Sequence, residues 1–260
     1  MGETIGAGIA AAIVAAASAE AKPHLRGCAT SLGEVRALLR ADLYRYAGDT
    51  RITSFIKHFG FTPGFKYTVW MRYCGWAKRG RVTGYALYPF LKWMLLRCRY
   101  KYGIAIPEYT VIGPGFFINR FGGVYFVGDV VIGCNVNVTH GTVLGHTNRG
   151  ARRGAPVVGD RVFFASGAKV VGHVFIGDDA AVGVNSVVTK DVAASAVVGG
   201  IPAKQLSVNG SEGYINRQAS EEMIRAAGWE PSSTGRRIND LASPTSREQQ
   251  HMAIGPANQC

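Results

Sequence analysis

Apolar residues recur at every sixth position between Val158 and Val192. An α-helix would need a period of 3.6 and a half-buried strand a period of 2, so neither explains this spacing. We therefore predict a mainly β fold, a parallel β-helix in which three short strands close one triangular rung and successive rungs stack. The inward series is Val158, Phe164, Val170, Ile176, Val182 and Val188, and mostly small residues follow four places later at Val162, Ala168, Val174, Ala180, Ser186 and Val192.

The first part of the coil is less regular. Two shorter series have the same spacing, and the phase shifts by two residues between them, from Val124 to Ile132. Residues 146–156 then contain three arginines and no inward apolar residue. We predict a loop that leaves the coil there, and long polar insertions in repeat folds usually lie on the binding face. The two series are Ile112, Ile118 and Val124, then Ile132, Val138 and Leu144.

A helical pattern precedes the coil. Ser31 followed by Glu34 has the form of a capping box, and the apolar residues that come next share one helical face. A second helix is predicted from Ile52 to Phe59, followed by a turn at residues 61–64. The shared face of the first helix is formed by Val35, Leu38, Leu39, Leu43 and Tyr46.

Aromatic, apolar and basic residues interleave between Lys66 and Tyr102. We predict two helices there, broken near Gly80 and Gly84. Residues 34–103 hold 14 Lys and Arg against 3 Asp and Glu, which accounts for most of the net charge of +12. Three interpretations are open: helices that pack on the β-helix and leave a solvated basic rim, contact with an anionic membrane surface, or nucleic-acid binding. We expect no nucleic acid, because no recognised nucleic-acid motif accompanies the charge.

The two ends of the chain have a different composition. Residues 1–30 are Ala-rich and include a sequence similar to a signal-peptide cleavage site, but Glu3 and the lack of a basic n-region argue against a secretory signal. We predict a helical or disordered extension there. Residues 207–260 are predicted to hold one short helix, from Ser220 to Ala227, and a disordered polar tail from Trp229. The predicted domains are therefore 1–30, 31–103, 104–206 and 207–260.

The five cysteines limit the possible chemistry. Their number is odd, and they form no C-x-x-C pair and no regular spacing. This argues against a disulfide framework and a structural zinc site, and favours a reducing compartment. No run reaches the roughly 18 apolar residues that a membrane-spanning helix requires.

The six-residue run and the closing stretch from Gly199 to Lys204 resemble the hexapeptide-repeat acyltransferases. Residues 112–124 and 133–145 are similar to the serine acetyltransferase branch. Residues 42–46 (Asp-Leu-Tyr-Arg-Tyr) and 63–67 (Pro-Gly-Phe-Lys-Tyr) resemble relatives associated with surface-polysaccharide synthesis. The resemblance covers about residues 34–206. It implies a left-handed parallel β-helix, acetyl-CoA as the co-substrate, and a homotrimer with sites between subunits.

The resemblance also implies a coenzyme A groove between neighbouring coils, held largely by backbone groups. Two lysines at matching positions suit the coenzyme A phosphates as point charges. No metal is expected. The matching positions are Ser166, Val184, Thr189, Lys190 and Lys204.

Two positions depart from the serine acetyltransferase pattern. Where that branch carries an Asp-His pair before the first glycine-rich turn, this chain has Asn119-Arg120. Where it carries Arg-His-Pro late in the long loop, this chain has Gly-Ala-Pro at residues 154–156. Both family histidines are therefore replaced.

Acetyl transfer to a hydroxyl still needs a base and donors for the oxyanion, and histidine is the natural base. Of the six histidines we select two. His140 lies 20 residues after Arg120, close to one rung, and is expected to stack beside the vacated family position. His146 opens the predicted loop. Arg120 is the candidate for binding an anionic acceptor or stabilising the oxyanion, with a structural salt bridge as the alternative.

We therefore expect an acetyl-CoA-dependent O-acetyltransferase acting on a sugar hydroxyl in surface-polysaccharide biosynthesis. One alternative is serine O-acetylation in cysteine biosynthesis. Another is a non-catalytic β-helix partner that lost the family histidines. The expected location is cytoplasmic, with peripheral contact at the inner face of a membrane as a further alternative.

Overall fold

A computed structural model describes residue 25 and residues 27–229 of the chain. Its central feature is a stack of short strands, each two to four residues long, separated by turns. The short length follows from the six-residue repeat, because each repeat must hold both a strand and a corner. The strands are β1 (Ile104–Ala105), β2 (Val111–Ile112), β3 (Phe117–Ile118), β4 (Val124–Phe126), β5 (Val131–Ile132), β6 (Asn137–Val138), β7 (Val143–Gly145), β8 (Val157–Val158), β9 (Phe163–Phe164), β10 (Lys169–Val171), β11 (Phe175–Ile176), β12 (Ala181–Val182), β13 (Val187–Val188), β14 (Val197–Gly199) and β15 (Lys204–Ser207).

The strands form three sheets, which are the three sides of a triangular coil. Sheet A has the order β1-β4-β7-β10-β13, sheet B β11-β8-β5-β2, and sheet C β15-β14-β12-β9-β6-β3. All neighbours pair in parallel except β15, which returns antiparallel to β14. The predicted parallel β-helix with three strands in each rung is confirmed.

The predicted inward series is also confirmed. All six residues from Val158 to Val188 are buried, and so are the six that follow them by four places. Each repeat therefore contributes two side chains to one continuous hydrophobic column, which provides the main core of the molecule.

The predicted position of the phase shift is wrong. Phe126, not Val124, pairs with Leu144 of the next rung, while Val124 lies opposite Thr142. The two additional residues therefore lie before β4, in the turn that contains Arg120, and not between Val124 and Ile132. The pattern misled because Val124 and Phe126 both point inward and are buried, so either one fits the apolar series.

Helices occupy residues 32–102. They are α1 (Leu32–Ala47), α2 (Ile52–Phe61), α3 (Pro63–Arg79), α4 (Arg81–Ala86) and α5 (Tyr88–Tyr102), and a short α6 (Glu221–Ala226) follows the coil. The predicted cap of α1 is half right. Ser31 accepts a hydrogen bond from the Glu34 amide at 3.1 Å, but the Glu34 carboxylate reaches back to Thr30 instead of Ser31.

Two helix boundaries differ from the prediction. The expected turn at 61–64 is reduced to a single extended residue, Thr62, because Pro63 occupies the first turn of α3, where its missing N–H costs nothing. Between Lys66 and Tyr102 the chain forms parts of three helices rather than two, since residues 81–86 make a separate helix after Gly80.

The described part of the chain begins inside the predicted 1–30 extension. Cys28 and Ala29 are buried, and the amide of Gly27 donates to Tyr109 at 2.8 Å. The predicted tail after Trp229 and most of the Ala-rich extension lie outside the described residues.

The helices are fixed to the first coil by buried polar groups. The carboxylate of Asp42 on α1 pairs with the guanidinium of Arg72 on α3 at 2.6 and 3.1 Å and accepts the Phe116 amide at 2.9 Å. Arg72 also donates to the carbonyls of Ile112 and Gly113. Burial raises the pKa of Asp42, and the Arg72 guanidinium and the Phe116 amide oppose that rise.

Arg45 of α1 continues this attachment. Its guanidinium donates to the carbonyls of Gly115 and Asn216 and to the side chain of Asn137. Burial lowers the pKa of Arg45 to about 10. The hydroxyl of Tyr46 bonds both the amide and the carbonyl of Ile118. Residues 42–46 thus bind the backbone of the first coil.

After the coil, the chain runs back along sheet C as a segment of turns and irregular backbone, which we call the strap (residues 208–219). It meets successive rungs in turn: the amide of Ser211 donates to Asp179, and its hydroxyl donates to Arg161 at 2.6 Å. The side-chain amide of Asn137 then donates to the carbonyl of Tyr214 at 3.1 Å. The strap ends at Ala219, which exchanges two hydrogen bonds with the Asn135 side chain.

Candidate active site

Four of the predicted site residues lie at one corner of the triangle, between sheets C and A. Arg120, His140, Ser166 and Val184 occupy the turns that follow β3, β6, β9 and β12. Because these strands pair in register, the turns stack into one column, which we call the His140 corner. The expectation that His140 stacks beside the Arg120 position agrees with this register.

Glycines follow His140 and Ser166 in this column, at positions 141 and 167. Gly141 has a φ of +72°, and a side chain there would lie 3.1 Å from the Cα of Gly167. Gly167 has a φ of +73°, and a Cβ would clash with the Asn185 side chain at 2.0 Å. Both positions therefore require glycine. The backbone beside His140 is left bare as a result.

His140 is an exposed side chain at the end of β6. Its Nδ1 lies 3.4 Å from the hydroxyl oxygen of Ser166, one rung further along the coil. If Nδ1 carries the proton and donates to Ser166, the lone pair of Nε2 faces outward and can accept a proton. The distance is long for a hydrogen bond, as is common in catalytic groups without substrate.

Arg120 is exposed one rung below, in the turn enlarged by two residues. Among the described residues no carboxylate pairs with it. The structural salt bridge that was its alternative role is therefore absent from this part of the chain. A free guanidinium next to the His140 turn is suited to an anionic group.

His146 lies at a different corner. It follows β7, where the chain passes from sheet A to sheet B, so one side of the triangle separates it from His140. The loop that it opens folds back on itself, with paired hydrogen bonds of 3.1 and 3.0 Å between Thr147 and Gly154. Arg152 fixes the loop by an ion pair with Asp191 at 2.7 Å. One chain therefore cannot place both histidines at the same reacting atom.

The remaining candidate positions divide between the same two corners. Thr189 and Lys190 follow β13 and are exposed at the corner of His146. Lys204 begins β15 and is exposed. The amide of the preceding Ala203 donates to the carbonyl of Val187 at 2.8 Å, which places Lys204 near the His140 corner. Between the corners lies the outer face of sheet A, whose outward side chains are Tyr125, Val143, Lys169 and Val187.

The sequence argument missed the contact between His140 and Ser166, since Ser166 was assigned only to the coenzyme A groove. The signal was present in the numbering. Ser166 and Val184 are 18 residues apart, three repeats of six, and His140 and Ser166 are 26 apart because the loop adds eight. Subtracting the insertion places the two in neighbouring rungs.

Within the described residues, no three His, Cys, Asp or Glu side chains group closely enough to hold a metal ion. The motif at residues 42–46 contributes nothing to the site. Its polar groups are buried against the first coil, where they join helices to strands. The motif from which a polysaccharide acceptor was predicted therefore lies in the contact between helices and coil.

Stacked rungs of three short parallel strands with a six-residue period define a parallel β-helix protein. No family model matches the chain. Over 102 residues it is 40% identical to the serine acetyltransferase of Mycobacterium tuberculosis, a match covering 39% of this chain and 44% of that protein. The chain thus spans about half the length of such curated relatives.

Two solved structures carry the same similarity. Soybean serine acetyltransferase without ligand is 28% identical, with a TM-score of 0.55 over 66% of this chain and 69% of that one. The soybean enzyme in complex with serine is 26% identical, with a TM-score of 0.53 over 74% and 73%. The chain is accordingly similar to serine acetyltransferases over part of its sequence and about two thirds of its structure.

Proposed function

We propose that this chain is an acetyl-CoA-dependent O-acetyltransferase, and that L-serine is the first acceptor to consider. The relatives that share its β-helix bear the name serine acetyltransferase, and one is in complex with serine. The observation that carries the proposal is the exposed imidazole of His140, with Nδ1 beside the Ser166 hydroxyl. This order of acceptors reverses the sequence-based expectation, which put a sugar first.

The chemistry follows from that geometry. Nε2 of His140 removes the proton of the acceptor hydroxyl while the oxygen attacks the thioester carbonyl carbon. The tetrahedral adduct collapses, the carbon–sulfur bond breaks, and the departing thiolate takes the proton from the imidazolium. The products are the acetyl ester and free coenzyme A. Ser166 holds the imidazole in the tautomer that this step requires.

The acetyl donor is assigned to the face of sheet A and its two corners. The bare backbone at Gly141 and Gly167 admits a chain that approaches closely. Lys204 and Lys190 are the exposed cations for its phosphates, one at each corner. Ser166, Val184 and Thr189 line the same path. A left-handed winding and a homotrimer are part of this proposal. In a trimer, a second subunit would cover a corner that is exposed on one chain.

A sugar hydroxyl is the second candidate acceptor. It is favoured by the turn at Arg120, where two additional residues and an unpaired guanidinium replace the acid-histidine pair of the serine acetyltransferases. A guanidinium at that point suits a carboxylate or phosphate on the acceptor. Serine also carries a carboxylate, so it is the additional length of the turn, and not the charge of Arg120, that favours the sugar over serine. Contact of the helices with a membrane does not enter this chemistry.

The test is release of coenzyme A from acetyl-CoA in the presence of L-serine or of acidic and neutral sugars, with mass spectrometry of the product. We expect transfer to one acceptor, and a fall of about 10²–10⁴ in kcat for His140→Ala, the usual contribution of a general base. For Arg120→Ala we expect a higher KM for that acceptor.

His173→Ala is the matched control, since His173 is an exposed histidine at the other corner. It should retain the wild-type rate. Loss of activity in His146→Ala with full activity in His140→Ala would reassign the base. Transfer to none of these acceptors by the wild-type chain would favour the non-catalytic partner.

A further inference from the structure

Two of the five N-terminal helices, α2 and α4, contain no buried residue. Ile52 on α2 is 71% exposed and Tyr85 on α4 is 90% exposed. Short helices in water are held mainly by packing of an apolar face. On α2, Phe55 and Phe59 are half-buried against the core formed by α1 and α3, whereas Ile52, Ile56 and, on α4, Tyr85 are left uncovered by the described chain.

Exposed residues (Ile52, Ile56, Phe90 and Trp93) and half-buried residues (Phe55, Phe59 and Trp70) together form one continuous apolar surface across α2, α3 and α5. On α2 they follow the spacing i, i+3, i+4, i+7, which is one helical face. Ring contacts then lead from Phe59 to Trp70 at 5.6 Å, from Trp70 to Phe90 at 6.4 Å, and from Phe90 to Trp93 at 6.2 Å. We call this the aromatic surface: Ile52, Phe55, Ile56, Phe59, Trp70, Phe90 and Trp93. Phe90 and Trp93 are both more than half exposed.

The charge around this surface is predominantly positive, although the Asp49 carboxylate lies at the start of α2, where it accepts the Arg51 amide at 3.0 Å. Residues 50–103 hold 11 Lys and Arg and no Asp or Glu. Three of these cations are used internally, Arg72 with Asp42 and two lysines with Glu108. No carboxylate of the described residues pairs with the other eight, which are Arg51, Lys57, Lys66, Arg79, Arg81, Arg97, Arg99 and Lys101.

Cations border the aromatic side chains directly. The ammonium of Lys66 lies 5.7 Å from the centre of the Phe59 ring. Arg97 lies one helical turn after Trp93 on the exposed side of α5, opposite the buried Leu91, Leu95 and Cys98. The arrangement is thus an apolar strip with a basic border, in which cations far outnumber carboxylates.

We propose that the aromatic surface binds an anionic lipid bilayer, with α2 and α5 lying along the headgroup layer. Aromatic rings prefer that boundary, and lysine and arginine beside them are attracted to anionic headgroups. None of the described helices is long and apolar enough to cross a membrane. Each cation near the surface should strengthen binding about fivefold.

The experiment is sedimentation of the full chain with sucrose-loaded vesicles. One set of vesicles is pure phosphatidylcholine, and the other contains about 30% of the anionic lipid phosphatidylglycerol. We expect binding to the anionic vesicles that falls steeply as salt is added. Lys57→Glu/Arg97→Glu should weaken it at least tenfold. Phe90→Ala/Trp93→Ala should weaken it at constant charge, which separates insertion of the rings from plain attraction.

Two controls match these variants. Arg36→Glu changes an exposed arginine on α1, outside the aromatic surface, and Val208→Ser removes an exposed apolar side chain far along the chain. Both should bind like wild type. Absence of binding to anionic vesicles, or equal binding by all variants, would overturn the proposal. So would a change of oligomeric mass in Phe90→Ala/Trp93→Ala without vesicle binding by wild type, because the surface would then join copies of the chain. Acetyl transfer in solution is unaffected by either result.

Discussion

At the scale of single residues, Glu108 is a buried carboxylate that forms ion pairs with two lysines. Its carboxylate is almost fully buried and accepts from Lys78 at 3.1 Å, Lys92 at 2.7 Å and the Tyr88 hydroxyl at 3.0 Å. Burial by itself would raise the pKa of Glu108, but the hydrogen bonds and charges of the two lysines lower it to about 2. Burial and this carboxylate also raise the pKa of Tyr88.

The low pKa of Glu108 predicts an acid-sensitive contribution to stability. The pKa falls from 4.5 to about 2 on folding, so the contribution is complete above pH 4.5 and is lost as the pH drops toward 2. Its size is about 3 kcal/mol. We expect the difference in unfolding free energy between wild type and Glu108→Gln, measured in urea, to shrink by about that amount between pH 6 and pH 2.5. A pH-independent difference would contradict the assignment.

At the scale of elements, the join between helices and coil depends on the Asp42–Arg72 pair. Asp42→Asn would leave the Arg72 guanidinium buried without its counter-charge, which costs on the order of 3–5 kcal/mol. Chemical denaturation of the variant should show that loss. Glu221→Gln removes an equally short but exposed pair with Arg225 and should change the free energy of unfolding by less than about 0.5 kcal/mol. Similar values for both variants would show that the buried pair does not hold the helices.

Most elements could be predicted from the sequence, and the exceptions have physical causes. The period of six identified the coil because every sixth residue from Val158 to Val188 must point inward. It failed before β4, since Val124 and Phe126 alternate on a strand and both satisfy the pattern. Helix α4 was missed because its exposed residues show no apolar periodicity.

The candidate site was partly predictable for a similar reason. The register of the repeats places Arg120 and His140 in neighbouring turns. It also places His140 and His146 at different corners, although only six positions separate them in the sequence. The burial of Asp42 and Arg45 was not predictable, because charged residues on a helix are usually solvated. Their partners in the first coil, the Phe116 amide for Asp42 and the Gly115 carbonyl for Arg45, are distant in sequence.

At the scale of the whole molecule, the strap connects parts that the coil alone would leave separate. It contacts three successive rungs and ends beside α1, where Arg217 donates to the carbonyl of Tyr46. Tyr214 stacks on Phe163 at 4.7 Å. The strap therefore fastens the helical half to sheet C from outside.

Loosening the strap should weaken the molecule without altering the coil. Asn135 has a φ of +58° and holds both the amide and the carbonyl of Ala219. Asn135→Gly keeps the backbone conformation accessible and removes those two bonds. We expect the free energy of unfolding to fall by about 1–3 kcal/mol. We also expect a protease to cleave after residue 207 at an earlier time than in wild type, as measured by mass spectrometry. Asn209→Gly, within the strap but exposed, is the control. Equal cleavage of the two variants would contradict the role of Asn135.

The loop at residues 146–156 leaves the coil and returns without disturbing it. Ile132 and Val158, on either side of it, are paired in the same register as strands without an insertion. A corner of this fold can therefore gain or lose whole segments while every inward residue keeps its place. Related chains can therefore bind different substrates by changing the residues of one corner. The inward residues of the repeats can stay the same while this happens.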